Sequence, residues 1–151
     1  MTGRIVVARI GSVRFAVHLN QVAAVIEAAS ETMLPLAPPF LNRAIHIKGC
    51  LVPVLDMGLF WGLNTAATPG QMIIMAGDNI NLALHVDLVQ DIIPAESIEG
   101  QEPLDDECCP SQLTLPTGSI PLLSTGKLLQ VLERELAAGP KPLRGATPDA
   151  F

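Results

Sequence analysis

Two segments of this chain carry the same order of glycine, proline and leucine residues, 68 positions apart. The segment Gly49–Phe60 reads GCLVPVLDMGLF, and the segment Gly118–Leu128 reads GSIPLLSTGKL. The proline and the second glycine of each segment share this spacing. Glycine and proline restrict the backbone in specific ways, so a shared register predicts a duplicated barrel unit. Chance similarity between leucine-rich strands is the alternative.

Short apolar runs separated by turn residues fill most of the chain. Arg4–Ile10 and Arg14–His18 are predicted strands of a hairpin that turns at Gly11–Val13. The later predicted strands are Ala44–Ile47, Leu51–Leu55, Met72–Ala76, Asn81–Val86, Leu88–Ile93 and Leu113–Leu123. Many short strands predict small all-β barrels and argue against βαβ units.

A long helical pattern lies near the C-terminus. Leucines recur at three- and four-residue steps within Leu128–Leu136, which gives the helix one apolar face. Thr125 is the predicted N-cap, and the helix is expected to end near Ala138. We therefore expect one domain over residues 1–138 and a flexible C-terminal tail over residues 139–151. A shorter helix is expected at residues 58–63.

Composition excludes several classes of protein. Apolar residues make up 49% of the 151 residues and charged residues 16%, which excludes wholesale disorder. No apolar run reaches the roughly 18 residues of a membrane span, so no membrane insertion is expected. The N-terminus lacks a secretion signal, and the three cysteines include an adjacent pair that would close a strained disulfide. We therefore expect a cytoplasmic protein with reduced thiols.

The charges are segregated along the chain. Residues 1–48 carry a net charge of +3, whereas residues 49–126 contain ten acids and no lysine or arginine. Such an acidic section repels phosphate backbones, so nucleic acid is not an expected ligand. The two sections therefore present electrostatic potentials of opposite sign, which favours protein partners. Residues 94–112 hold six of the acids and are predicted to form a surface loop with a short edge strand.

The sequence offers no convincing active site. It contains neither a phosphate-binding glycine loop nor a nucleophile elbow, so we predict no catalytic residue, no cofactor and no metal. His85 and Asp87 alternate onto one strand face, where the carboxylate could orient the imidazole. Two alternatives stay open. One is a thiol- or metal-based sensor that uses Cys108 and Cys109, and the other is a small-ligand site between the two halves.

The longest motif lies in Phe40–Phe60, which contains a phenylalanine, a Lys-Gly turn, a Pro-Val-Leu-Asp strand end and a Leu-Phe helix. Later, Ala83–Val89 has an apolar-Val-Asp pattern, and Leu122–Leu129 leads into the final helix. In this order the motifs resemble the CheW-like family, the coupling proteins of bacterial chemosensory arrays. The resemblance extends over residues 4–136.

This resemblance implies two intertwined five-stranded β-barrels that share one apolar core, with a C-terminal helix. It also implies a protein that is not an enzyme. Family members are adaptors that couple a chemoreceptor, a methyl-accepting chemotaxis protein or related sensor, to the regulatory domain of a CheA-type histidine kinase. An alternative within the family is an adaptor of a non-flagellar system that controls pilus motility or a second messenger.

The resemblance also transfers a receptor-binding site to Val22, Arg43 and Lys48. Arg43 stands where the family pattern has glycine, which adds a long charged side chain. Lys48 replaces an arginine, and so keeps the charge but loses the planar fork that binds a carboxylate in two places. Ser124 takes the place of the aspartate in the second barrel.

Overall fold

The computed structural model of this chain describes residues 3–27, 31–63, 70–77 and 81–137. Within these residues the chain forms twelve β-strands and two α-helices, the longer of which is the last element. The predicted all-β fold with a C-terminal helix is therefore confirmed. The predicted tail over residues 139–151 lies outside the described residues.

The strands are two to seven residues long. In chain order the elements are β1 (Arg4–Ile10), β2 (Val13–His18), β3 (Val22–Glu27), β4 (Thr32–Met33), β5 (Arg43–Ile47), β6 (Cys50–Asp56), α1 (Met57–Phe60), β7 (Gln71–Met75), β8 (Ala83–Val86), β9 (Leu88–Pro94), β10 (Gly100–Pro103), β11 (Ser111–Leu115), β12 (Gly118–Leu122) and α2 (Thr125–Ala137).

The strands form two six-stranded sheets. The terminal sheet has the order β10-β11-β12-β2-β1-β9, and the central sheet has the order β3-β7-β8-β6-β5-β4. Each sheet is one unit of the repeat, and we call them the central unit and the terminal unit. The chain runs from the terminal sheet through the central sheet and back, so the two units are intertwined. Closure of each sheet into a five-stranded barrel stays a prediction.

The two sheets repeat one topology. Read from β4 to β3, the central sheet matches the terminal sheet read from β10 to β9, and each contains one parallel pair, β6–β8 and β2–β12. The hairpin β5–β6 corresponds to β11–β12, 68 residues later. The β3–β7 and β1–β9 pairs each contain a register shift, so that one residue has no pairing partner across the ladder, Ala23 in β3 and Gln90 in β9. The topology thus confirms the predicted duplication.

Each sheet also has its own cluster of buried apolar side chains. Ile45 and Val54 belong to the cluster of the central sheet, and their counterparts 68 residues later, Leu113 and Leu122, belong to that of the terminal sheet. Four strands contribute buried residues to each cluster, and a fifth strand packs a partly buried isoleucine against it. The buried positions of the repeat are therefore occupied by apolar residues in both copies.

A third and larger cluster joins the two units. It contains side chains from both sheets and both helices, among them Phe15, Leu55, Met57, Leu84, Leu123 and Leu128. Apolar burial is the main favourable term in folding. Because both units contribute to this cluster, we expect them to fold together.

The two helices have equivalent caps. Asp56 Oδ1 accepts a hydrogen bond from the Leu59 amide at 3.1 Å, and Ser124 Oγ accepts one from the Lys127 amide at 3.3 Å. The prediction of Thr125 as N-cap is therefore wrong, because Ser124 occupies the position just outside the helix. Thr125 is buried within the first turn, where its hydroxyl donates to Gln21 at 2.7 Å.

Candidate functional site

Lys48 lies at the tip of the β5–β6 hairpin. Lys48 and Gly49 have φ angles of 50° and 81°, and the paired residues Ile47 and Cys50 flank them. Two consecutive residues with positive φ are the mark of a type I′ hairpin turn, which matches the twist of the strands. Lys48 and Leu51 are both exposed. The tip therefore presents a cation beside apolar surface.

Val22 is the first residue of β3, an edge strand of the central sheet. It is half-buried against the shared core and pairs with Met75, and Ala23, at the register shift, follows it. Ala24 and Val25 are exposed. The start of β3 is thus an apolar edge with an irregular backbone, a feature typical of binding edges.

Arg43 is held by several partners. It is the first residue of β5, one position before the predicted strand Ala44–Ile47. Its guanidinium donates from Nη1 to Glu31 Oε1 at 3.0 Å and from Nη2 to Asp56 Oδ2 at 3.1 Å. Nη2 also lies 3.4 Å from His85 Nδ1. The side chain is 24% exposed, so these contacts fix it against the end of the sheet.

Two of the three predicted receptor contacts lie on one hairpin. Arg43 and Lys48 lie at opposite ends of β5, roughly 16 Å apart at the rise of an extended strand. Val22 lies on β3, an edge strand of the same sheet. A partner that contacts both Arg43 and Lys48 must therefore span the length of β5.

An exposed apolar turn beside Arg43 was missed from the sequence. Met33 pairs with Arg43 across β4–β5 and is 65% exposed, while Leu36 is 93% exposed. Leu36 also has a φ of 62°, a conformation that is uncommon for leucine. Pro35, at the preceding turn position, was the available signal. A leucine that buries so little surface contributes little to the core.

The acidic stretch lies at one edge of the terminal sheet. It includes β10, the predicted edge strand, and all six acids from Glu96 to Glu107 are exposed. One of them, Glu107, forms an ion pair with Arg134 of α2. Both side chains are more than 60% exposed, so this pair contributes little to stability.

The adjacent cysteines are part of the core. Cys108 and Cys109 are each 4% exposed, and their amides both donate to Asp106 Oδ1 at 2.9 Å. Burial raises the pKa of the Cys109 thiol to about 12, with a further contribution from Asp106. Burial and Asp106 raise the pKa of Cys108 as well. Thiolate is the reactive form, so this environment disfavours a thiol sensor.

The remaining chemistry-bearing residues serve structural contacts. Asp87 Oδ2 accepts a hydrogen bond from the Gly11 amide at 2.7 Å, so Asp87 and His85 face different neighbours. Among the described residues, no group of three His, Cys, Asp or Glu side chains is arranged to hold a metal. None of the helices in the described part of the chain is long and apolar enough to cross a membrane.

A duplicated two-sheet β fold with a shared apolar core and a C-terminal helix defines the structural class of this protein. A family model described as CheW-like domain matches residues 4–133, and the chain belongs to this family. Among solved structures, the crystal structure of scaffolding protein TtCheW from Thermoanaerobacter tengcongensis is similar, with a TM-score of 0.73 and 22% sequence identity. The match covers 82% of this chain and 90% of that chain. No curated protein matches this sequence significantly.

Proposed function

We propose that this chain is a non-enzymatic adaptor that couples a chemoreceptor to the regulatory domain of a CheA-type histidine kinase. The observation that carries the proposal is membership of the CheW-like family over residues 4–133. The duplicated architecture supports it, because two units with different surfaces provide separate areas for two partners. These partners would place the chain in the cytoplasm.

The receptor site in this proposal consists of Val22, Arg43 and Lys48. Lys48 is an exposed cation on a tight turn and can pair with a carboxylate of the receptor. Val22 offers apolar surface at an irregular edge. Arg43 already contacts two carboxylates, so its part is to hold the end of β5 in place.

Reversal of the charge at Lys48 tests the receptor site. We expect Lys48→Glu to weaken binding to a cytoplasmic receptor tip by about tenfold, because an attractive pair becomes a repulsive one. Lys127→Glu, at an exposed position of α2, is the matched control and should change the affinity less than about twofold. Binding would be followed by biolayer interferometry at two salt concentrations. Equal losses in both variants would remove Lys48 from the site.

The kinase half of the proposal is tested separately. The full chain should bind the isolated regulatory domain of a CheA-type kinase from the same genome, in the affinity range of transient interfaces. If neither this domain nor any receptor tip from that genome binds, the adaptor proposal is wrong. Binding to the kinase and receptor of a pilus or second-messenger system would select the non-flagellar alternative.

A further inference from the structure

We infer that a cavity at the junction of the two units binds a small aromatic carboxylate. This junction cavity has a volume of about 240 Å³ and lies between β2, the segment after α1 and the loop before β11. A cavity of about 150 Å³ is large enough for benzene. The junction cavity therefore has room for one aromatic ring and a short polar arm.

The walls of the cavity are mainly apolar. Phe15 and Trp61 meet edge to face with their centroids 5.2 Å apart, and Leu63 and Leu104 also line the cavity. Phe15 is only 1% exposed, so the half-buried Trp61 is the ring that a ligand can reach. Aromatic rings pack well edge to face or offset-stacked, so Trp61 favours a flat apolar ligand.

Arg14 supplies a positive charge at the cavity. It is half-buried on β2 and forms no ion pair with any residue in the described part of the chain. It stands directly opposite Arg9 across the β1–β2 pair, and Arg9 Nη1 donates to the Gly11 carbonyl at 2.7 Å. Like charges in opposed positions are unfavourable. A carboxylate bound by Arg14 would relieve this repulsion and complete the hydrogen bonding of the guanidinium.

Asp106 is the other charged residue that lines the cavity. Its Oδ1 accepts hydrogen bonds from the amides of Cys108 and Cys109, which hold the carboxylate to its own loop but leave its negative charge in place. Asp106 and Arg14 form no ion pair, so their charged groups are more than 4 Å apart. The carboxylate of a ligand is therefore expected on the Arg14 side of the cavity, away from Asp106.

The only tryptophan of the chain makes the site testable without a label. Trp61 lies in the cavity wall, so its fluorescence should change when a ligand binds. We expect 3-phenylpropionate to change the emission saturably and to raise Tm at concentrations up to about 10 mM. Neutral 3-phenylpropanol and cationic phenethylamine should bind at least about fivefold more weakly, because they lack the carboxylate.

Two arginine variants locate the contact. Arg14→Gln should weaken the binding of 3-phenylpropionate by about tenfold or more, whereas Arg4→Gln, an exposed arginine of β1 in the same sheet, should change it less than about twofold. Unchanged binding in Arg14→Gln, tighter binding of phenethylamine, or the absence of any saturable signal would overturn the inference. A Trp61 response to a receptor tip but to none of the three compounds would also overturn it, in favour of a partner side chain as the occupant. The inference does not depend on the adaptor function, which is tested by binding to other proteins.

Discussion

The central and terminal units share one strand order, yet they differ in the residues at the ends of their equivalent strands. Arg43, which begins β5, corresponds to Ser111 at the start of β11, and Asp56 corresponds to Ser124. In the central unit these positions hold an ion-pair network, whereas Ser111 Oγ accepts one hydrogen bond from Gln101. The buried positions stay apolar in both units.

This difference shows which positions the shared fold constrains. Core side chains fill a fixed space, so both copies keep residues of similar size and polarity there. Strand ends and turns face solvent, so each unit can carry its own charges and turn conformations. The same topology therefore presents a cationic turn at Lys48 in one unit and an acidic edge around β10 in the other.

The largest expected effect tests whether the two cores are equivalent. Ile45→Ala and Leu113→Ala each remove a buried side chain at matching positions, 1% and 2% exposed, and each should lower the free energy of unfolding by about 2–5 kcal/mol. Urea denaturation followed by circular dichroism measures both. Because the units share a third cluster, each variant should unfold in one transition. Two separate transitions would show that the units fold independently.

The second prediction, with an effect of intermediate size, concerns the ion pairs that only the central unit has at the start of its strand β5. Arg43→Ala should lower the free energy of unfolding by about 1–3 kcal/mol, because it leaves Glu31 and Asp56 without their shared cation. Ser111→Ala, the equivalent change in the terminal unit, should cost less than about 0.5 kcal/mol. The loss in Arg43→Ala should shrink in 1 M salt, which screens the ion pairs. If both variants lowered the free energy of unfolding equally, the stabilising ion pairs would not be specific to the central unit.

The effect that is smallest at neutral pH concerns the buried thiols of the terminal unit. An unfolded cysteine ionises near pH 9, but folded Cys109 stays neutral up to about pH 12, so the free energy of unfolding should fall as the pH rises through this window. Cys109→Ala should reduce that slope in urea titrations at pH 8–11. Exposed Cys50 of the central unit is the internal control, because it should react with a thiol reagent in the folded protein before Cys108 and Cys109. Simultaneous labelling of all three would contradict the buried environment.

The sequence predicted the elements that depend on local or repeated patterns. The 68-residue spacing predicted the duplication, and the apolar runs predicted the hairpins β1–β2 and β5–β6 nearly to the residue. The cap of α2 was misassigned by one position, since Ser124 and Thr125 are both good capping residues. Only the contact of Thr125 with Gln21, over a hundred residues earlier, separates their roles.

The candidate sites were less predictable, because they depend on residues that the chain brings together from afar. Arg43 lies one position before the predicted strand Ala44–Ile47, and its partners Glu31, Asp56 and His85 are 12 to 42 positions away in sequence. The adjacent cysteines lie in an acidic loop, where the sequence left a thiol- or metal-based sensor open as an alternative. Packing against the shared core buries them, which disfavours the thiol sensor.

The sequence alone determined the all-β class, the two-unit repeat and the family of this protein, since hydrophobic spacing and turn residues act between near neighbours and recur in both copies. The tertiary structure decided which charges are paired, which thiols are buried and where a cavity opens between β2 and the end of α1. These properties depend on distances between side chains that only the packing of the two sheets brings together.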